Sequence, residues 1–146
     1  MVNSFVPPSV KKIALDTNVF IYVFEQSSDF GEKAKTILEQ VETGMFSAVA
    51  SSVSLTEILV KPIREGNRGL EKQYKLLFTH FPNLSIVPVD NGVAERAAYL
   101  RGTYNIKTPD ALIVATAITA GAELFITNDV RLEHVKEIQC VALSQV

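Results

Sequence analysis

Short apolar runs alternate along the chain with longer segments in which apolar residues recur every three or four positions. The runs KKIALD (11–16), MFSAVASS (45–52), LSIVPV (84–89), LFIT (124–127) and CVAL (140–143) predict β-strands. The segments between them, such as DFGEKAKTILEQVETG, have the period of amphipathic helices. Strands that alternate with helices predict an α/β fold with a mostly parallel sheet covered on both faces.

Prolines and capping residues predict where several of the helices begin and end. Pro62 is expected to stop a helix over VSLTEILVK and to open a loop over IREGNRG. Asp90 is expected to cap a helix over NGVAERAAYLRGTY. Thr108 and Pro109 are predicted to supply the N-cap and the first helical position of a helix over 110–120. Pro88 places the third strand at an edge of the sheet, or marks the end of that strand.

Composition is that of an ordinary globular protein, with 146 residues, 47% hydrophobic and 21% charged. We expect one domain over 1–146, and we expect a cytoplasmic protein because no signal peptide or membrane-spanning run is evident. Cys140 lies in an apolar stretch and is interpreted as a core residue. The net charge of −2 does not exclude a nucleic-acid substrate, because acids confined to a site do not describe the outer surface.

Four acidic residues are predicted to lie at the same edge of the sheet. Asp16 ends the first strand, Asp129 follows the fourth strand, and Asp110 opens a helix that should begin at that edge. Glu57 follows the second strand and stands between apolar neighbours. Taken singly, each acid has a simpler explanation as a helix cap, a helix-dipole partner or, for Glu57, an ion pair with Lys61. Together they favour a metal site.

Carboxylates that share one cleft repel each other and raise one another's pKa values, and a divalent cation relieves the repulsion. All-oxygen ligands suit Mg²⁺ or Mn²⁺, while His80 and His134 lie outside these motifs, which argues against zinc. Magnesium held by carboxylates is suited to hydrolysis of phosphodiester bonds.

Three motifs in this order, LDTNVFIY (15–22), SLTEILV (54–60) and TPDALIVATAITAGAELFITND (108–129), resemble those of PIN-domain ribonucleases. The chain looks most like the VapC-type toxins of type II toxin–antitoxin systems. The resemblance implies a three-layer α/β/α sandwich with about five strands and an endoribonuclease that depends on Mg²⁺ or Mn²⁺. It also implies a homodimer and a cognate antitoxin.

The resemblance assigns catalysis to Asp16, Glu57, Asp110 and Asp129, with the metal held by the three aspartates. A haloacid-dehalogenase phosphatase also begins with an aspartate after its first strand. That chemistry needs a second aspartate two residues after the first, and Asn18 stands there. Two alternatives stay open: a PIN nuclease of RNA maturation or decay without an antitoxin, and an inactive PIN-like binding module.

Polar neighbours of the acids are expected to support them. By the resemblance, Thr127 orients a ligand or a water, Asn128 matches the polar residue before the fourth acid, and Asn18 supports the first acid. Many relatives carry a further acid shortly after the fourth one, whereas this chain has Arg131 and then Glu133. We therefore expect one tightly held ion.

Contacts with RNA would have to come from local basic residues, and the predicted ones are Arg64, Arg68, Arg96, Arg101 and Lys107. A solvated face of mixed charge explains the first two equally well. The apolar segments VFIYVF and VSLTEILV are candidates for contact with a second copy or an antitoxin, and burial in the core is the simpler alternative.

Overall fold

The computed structural model describes residues 6–26 and 29–145. The strands are β1 (Lys12–Leu15), β2 (Ser47–Ser51), β3 (Leu84–Val87), β4 (Leu124–Thr127) and β5 (Gln139–Ala142). The α-helices are α1 (Thr17–Phe24), α2 (Gly31–Glu42), α3 (Ser52–Glu65), α4 (Arg68–His80), α5 (Asn91–Tyr104) and α6 (Thr108–Thr119). Short 3₁₀ turns follow β4 (Val130–His134) and β5 (Leu143–Gln145).

The strands form one parallel sheet in the order β3-β2-β1-β4-β5. β1 is central and pairs with both β2 and β4, and its apolar side chains Ile13, Ala14 and Leu15 are buried. The prediction of a mostly parallel sheet of about five strands is confirmed, and so is the edge position of β3, which ends just before Pro88.

Helices cover both faces of this sheet and make the three-layer α/β/α arrangement that was predicted. Successive side chains of β1 point to opposite faces, so Ile13 joins one core cluster and Ala14 the other. Helices α1–α4 pack on the face of Ile13, where Phe20 is fully buried. Helices α5 and α6 pack on the opposite face around Leu100.

The predicted stop at Pro62 is wrong, because α3 continues through this residue to Glu65. Proline costs a helix about 3 kcal/mol through its missing N–H and its clash with the preceding turn. Here Pro62 is buried against the core, and its carbonyl accepts from Asn67 N at 2.8 Å. The helix ends instead at Gly66, whose φ of 68° is the left-handed conformation that glycine adopts easily. The predicted loop is thereby reduced to Gly66 and Asn67.

The predicted N-cap at Thr108 is also wrong, since α6 already begins there and Lys107 occupies the cap position without a side-chain cap bond. Asp110 consequently lies in the first turn of α6. The cap predicted at Asp90 is confirmed: its Oδ1 accepts from Val93 N at 2.9 Å.

The two apolar segments considered for partner contact differ in exposure. Val19 and Phe20 of α1 are fully buried, so the VFIYVF segment belongs largely to the core. On α3, Val60 of the VSLTEILV segment is 44% exposed, and contact there stays a prediction. Within residues 6–26 and 29–145, no helix has the length and apolarity to cross a membrane.

Cys140 is partly buried on β5, and its Sγ donates to the Leu132 carbonyl at 3.2 Å. Burial raises the pKa of this thiol to about 11. It is therefore a packing residue rather than a nucleophile.

Candidate active site

Asp16 is fixed between the two central strands at the carboxyl edge of the sheet. It follows β1 directly and caps α1, and its backbone N donates to the Ile126 carbonyl of β4 at 2.9 Å. Its Oδ1 accepts from Thr17 N at 2.8 Å, and its Oδ2 accepts from Thr127 Oγ1 at 2.7 Å. Both carboxylate oxygens thus accept a hydrogen bond, and the residue is only 7% exposed.

The pKa of Asp16 is raised to about 6, mainly by burial, and the negative charges of Asp110 and Glu57 act in the same direction. Hydrogen bonds from Thr127 and Thr17 oppose this rise but do not cancel it. Because these donors are neutral, the ionised carboxylate lacks a direct positive partner among them. Such a group gains strongly from a nearby cation.

Thr127 links Asp16 to the fourth predicted acid. Its hydroxyl donates to Asp16 and accepts from Asp129 N at 3.0 Å, and its side chain is completely buried. The last residue of β4 therefore fixes one acid directly and positions the backbone of another. Thr127 was predicted to orient a ligand or a water, and this stays a prediction; the structure shows its bond to Asp16.

Glu57 joins through Thr17, a residue that the sequence reasoning missed. Thr17 Oγ1 donates to Glu57 Oε1 at 2.7 Å and lies 2.8 Å from Ser54 Oγ. Since the Thr17 hydroxyl has one proton and gives it to Glu57, Ser54 must be the donor in the second bond. The only available signal was a hydroxyl residue next to Asp16, and its partners lie 37 and 40 residues away in the sequence.

Asp129 forms a bidentate pair with Arg131. Arg131 Nε donates to Oδ1 at 2.9 Å and Nη2 donates to Oδ2 at 2.6 Å, while the backbone N of Arg131 also reaches Oδ1 at 3.0 Å. These contacts lower the pKa of Asp129 below its usual value. Arg131 Nη2 lies 4.0 Å from Asp110 Oδ2. The pKa of Asp110 is nevertheless raised, first by burial and then by the charge of Asp129.

The acids do not converge as tightly as predicted. Among the described residues, no three acidic, histidine or cysteine side chains come close enough together to hold a metal ion. Asp129 is paired with Arg131 instead. The donor set still fits a hard divalent cation, because it consists of carboxylate oxygens. A positive group also already stands against Asp129 and near Asp110, in the form of the Arg131 guanidinium.

The two asparagines predicted to support the acids, Asn128 and Asn18, do not contact them through their side chains in the described part of the chain. Asn128 Nδ2 donates to Tyr22 Oη at 3.2 Å, so it braces α1 against β4 rather than contacting an acid. Asn18 is half-buried and makes no side-chain hydrogen bond to any residue that the structure describes, so its expected support of Asp16 is not seen.

The predicted basic residues differ in their surroundings. Arg101 Nη1 donates to the Ile106 carbonyl at 2.8 Å and so secures the turn before α6. Lys107 lines a pocket of about 240 Å³ together with Asp110, Arg131 and His134. This pocket places Lys107 and His134 beside Asp110. The other predicted residues are exposed at the junction of α3 and α4 or on α5: Arg64, Arg68 and Arg96.

A family model described as PIN domain matches residues 13–138. The chain belongs to the PIN domain family. No curated protein sequence matches it. The matched region of the PIN domain contains the whole acidic cluster, from Asp16 to Asp129.

Solved structures share the fold of this PIN domain at low identity. A chain of VapBC2 from Rickettsia felis, bound to a DNA fragment from its promoter, is 18% identical with a TM-score of 0.72, covering 90% of this chain and 98% of that one. A chain of a toxin–antitoxin complex from Klebsiella pneumoniae is 24% identical with a TM-score of 0.68, and the match covers 90% of this chain and 97% of that one. VapC20 from Mycobacterium tuberculosis is a toxin that cleaves the sarcin–ricin loop. It is 14% identical with a TM-score of 0.67, and the match covers 87% of this chain and 98% of that one.

Proposed function

We propose that this PIN domain is an endoribonuclease that depends on Mg²⁺ or Mn²⁺ and acts as the toxin of a toxin–antitoxin pair. The observation that carries the proposal is the hydrogen-bonded series at the carboxyl edge of the sheet. Thr127 ties Asp16 to Asp129, and Thr17 ties the same end of β1 to Glu57. If the acids had only a structural role at the surface, the Asp16 carboxylate would not need to be buried with its pKa raised to about 6.

The side chains divide the expected work by their surroundings. Asp16, Asp110 and Asp129 would hold the ion, with Thr127 fixing the orientation of Asp16. Glu57 is exposed and held by Thr17, so it can accept a proton from the attacking water. The bound ion would polarise the phosphoryl oxygen and lower the pKa of that water.

Lys107 and the pocket beside Asp110 are the basic features best placed to bind an RNA phosphate near these acids. The exposed Arg64, Arg68 and Arg96 would contribute charge farther along the surface. Mg²⁺ and Mn²⁺ are both compatible with the oxygen donors, and the comparison with RNA-cleaving VapC20 supports RNA as the substrate class.

A cleavage assay tests the activity. The purified protein should cut a fluorescent RNA of mixed sequence when Mn²⁺ or Mg²⁺ is added and should stop when a chelator is added. Asp16→Asn and Asp110→Asn should each lower the rate by about 10²–10⁴-fold. Asp90→Asn is the matched control, because Asp90 caps α5 and asparagine caps equally well. Wild-type rates in both site variants would show that the acids do not form an active site.

The toxin role rests on the toxin–antitoxin complexes among the similar structures, one of them from Klebsiella pneumoniae. The product of a small neighbouring reading frame should co-purify with the chain and suppress RNA cleavage. Cleavage that no neighbouring product suppresses would favour RNA maturation or decay. A homodimer is expected on the same grounds, and light scattering of the purified chain measures it.

A further inference from the structure

Arg131 stands at the acidic site without having been assigned any part in it. We propose that Arg131 is an internal counter-ion that competes with the divalent cation for Asp129 and so sets the metal affinity of the site. This inference rests on the proposed function, because it concerns the ion that the proposed nuclease binds.

Both oxygens of Asp129 are engaged by Arg131. Oδ1 accepts from the backbone N and from Nε of Arg131, while Oδ2 accepts from Nη2 at 2.6 Å. A cation that needs an oxygen of Asp129 must displace at least one of the two guanidinium bonds. The same Nη2 lies 4.0 Å from Asp110 Oδ2, so the guanidinium also weakens the attraction of Asp110 for a second positive charge.

A purely structural role explains the pair poorly. The Arg131 side chain is 64% exposed, and its partner lies only two residues away in the chain. An exposed local pair of this kind contributes little to the stability of a fold. Because the two residues are so close in the sequence, however, the guanidinium stays near Asp129, which is the property an internal competitor requires.

Arg131→Gln removes the competitor while keeping a polar side chain. We expect the dissociation constant for Mn²⁺ to fall by about five-fold, the scale of a partly exposed ion pair. Arg131→Lys keeps the charge but cannot form the bidentate contact, so its affinity should lie between those of Arg131→Gln and the wild type.

Lys136→Gln is the matched control. It removes the same formal charge five residues later, and among the described residues the side chain of Lys136, which is exposed, has no hydrogen bond or ion pair. A general effect of charge is screened by salt, so its Mn²⁺ affinity should stay within about two-fold of wild type.

Isothermal titration with Mn²⁺ alone, on the full chain after removal of bound metal, measures these affinities without any RNA. Thermal unfolding without metal checks that each variant folds. Mn²⁺ binding by Arg131→Gln that is equal to or weaker than that of the wild type overturns the inference. Asp16→Asn separates the two ideas. If it binds Mn²⁺ as the wild type does, or if none of the proteins binds, the proposed metal site itself is wrong and the inference falls with it.

Discussion

The ionised carboxylate of Asp16 should destabilise the metal-free protein, so Asp16→Asn should produce an inactive but more stable protein. Burial raises the pKa of Asp16 from 3.8 to about 6. Because each factor of ten in proton affinity corresponds to 1.36 kcal/mol, ionising this buried group costs the folded state roughly 3 kcal/mol more than it costs the unfolded chain.

The sign of the pH dependence follows from the two pKa values. The unfolded chain releases this proton near 3.8 and the folded protein near about 6. Between those values the folded state binds more protons, so its stability falls as pH rises through the window. The loss is complete above the folded pKa and absent below 3.8. Asparagine does not ionise, so the advantage of Asp16→Asn should appear across the same window.

The substitution also has a cost. Asparagine has one acceptor oxygen where Asp16 has two, so it loses a bond from either Thr17 or Thr127. A lost hydrogen bond of this kind costs about 1 kcal/mol. The net gain at alkaline pH is therefore about 2 kcal/mol, which corresponds to a rise of roughly 4–8 °C in Tm for a chain of this size.

Thermal unfolding followed by circular dichroism, in the presence of a chelator and over a series of pH values, measures this gain. Asp90→Asn serves again as the control, since it removes a carboxylate from an exposed helix cap. Saturating Mn²⁺ should stabilise the wild type and have little effect on Asp16→Asn. A lower Tm for Asp16→Asn at alkaline pH, or a difference that does not vary with pH, would refute the argument from burial.

Two further predictions concern Thr127 and Cys140. Thr127→Val should lower the free energy of unfolding by about 2–3 kcal/mol, because it removes a donor to the Asp16 carboxylate and an acceptor for Asp129 N. Urea denaturation measures this, and an equal loss in Thr127→Ser would contradict the role of the hydroxyl. Cys140 should react with iodoacetamide much more slowly than a free thiol, because its pKa is raised to about 11. Rapid labelling of the folded protein would contradict its burial.

The sheet could be predicted from the sequence because its strands are short, apolar and separated by helical segments. The positions of Asp16 and Asp110 followed from the same pattern, since parallel strands end and crossover helices begin at one edge. The course of α3 through Pro62 could not be predicted in this way. A local rule forbids proline in a helix, and only the packing of the finished core shows that the rule is overridden here.

The contacts within the site were less predictable than the positions of the acids. Thr17 stands next to Asp16 in the sequence, yet its hydroxyl bonds to Glu57, 40 residues away. In the sequence, Arg131 was noted only because it follows the fourth acid where many relatives have a further acid. Its bidentate contact with Asp129 depends on the 3₁₀ turn over Val130–His134. Spacing in a sequence shows which residues share an edge, whereas side-chain partners depend on the geometry of the folded chain.

The acids of the site differ in how far their charge is compensated, and this difference orders the binding of an ion. Arg131 neutralises Asp129 and lowers its pKa, while burial raises the pKa of Asp16 and of Asp110. A divalent cation bound as proposed would gain most where the charge is least compensated, close to Asp16 and Asp110. Ligation by Asp129 would require Arg131 to move away, so this contact would be the weakest of the three. Arg131, which stands where many relatives have a further acid, would thus favour the binding of one ion over two.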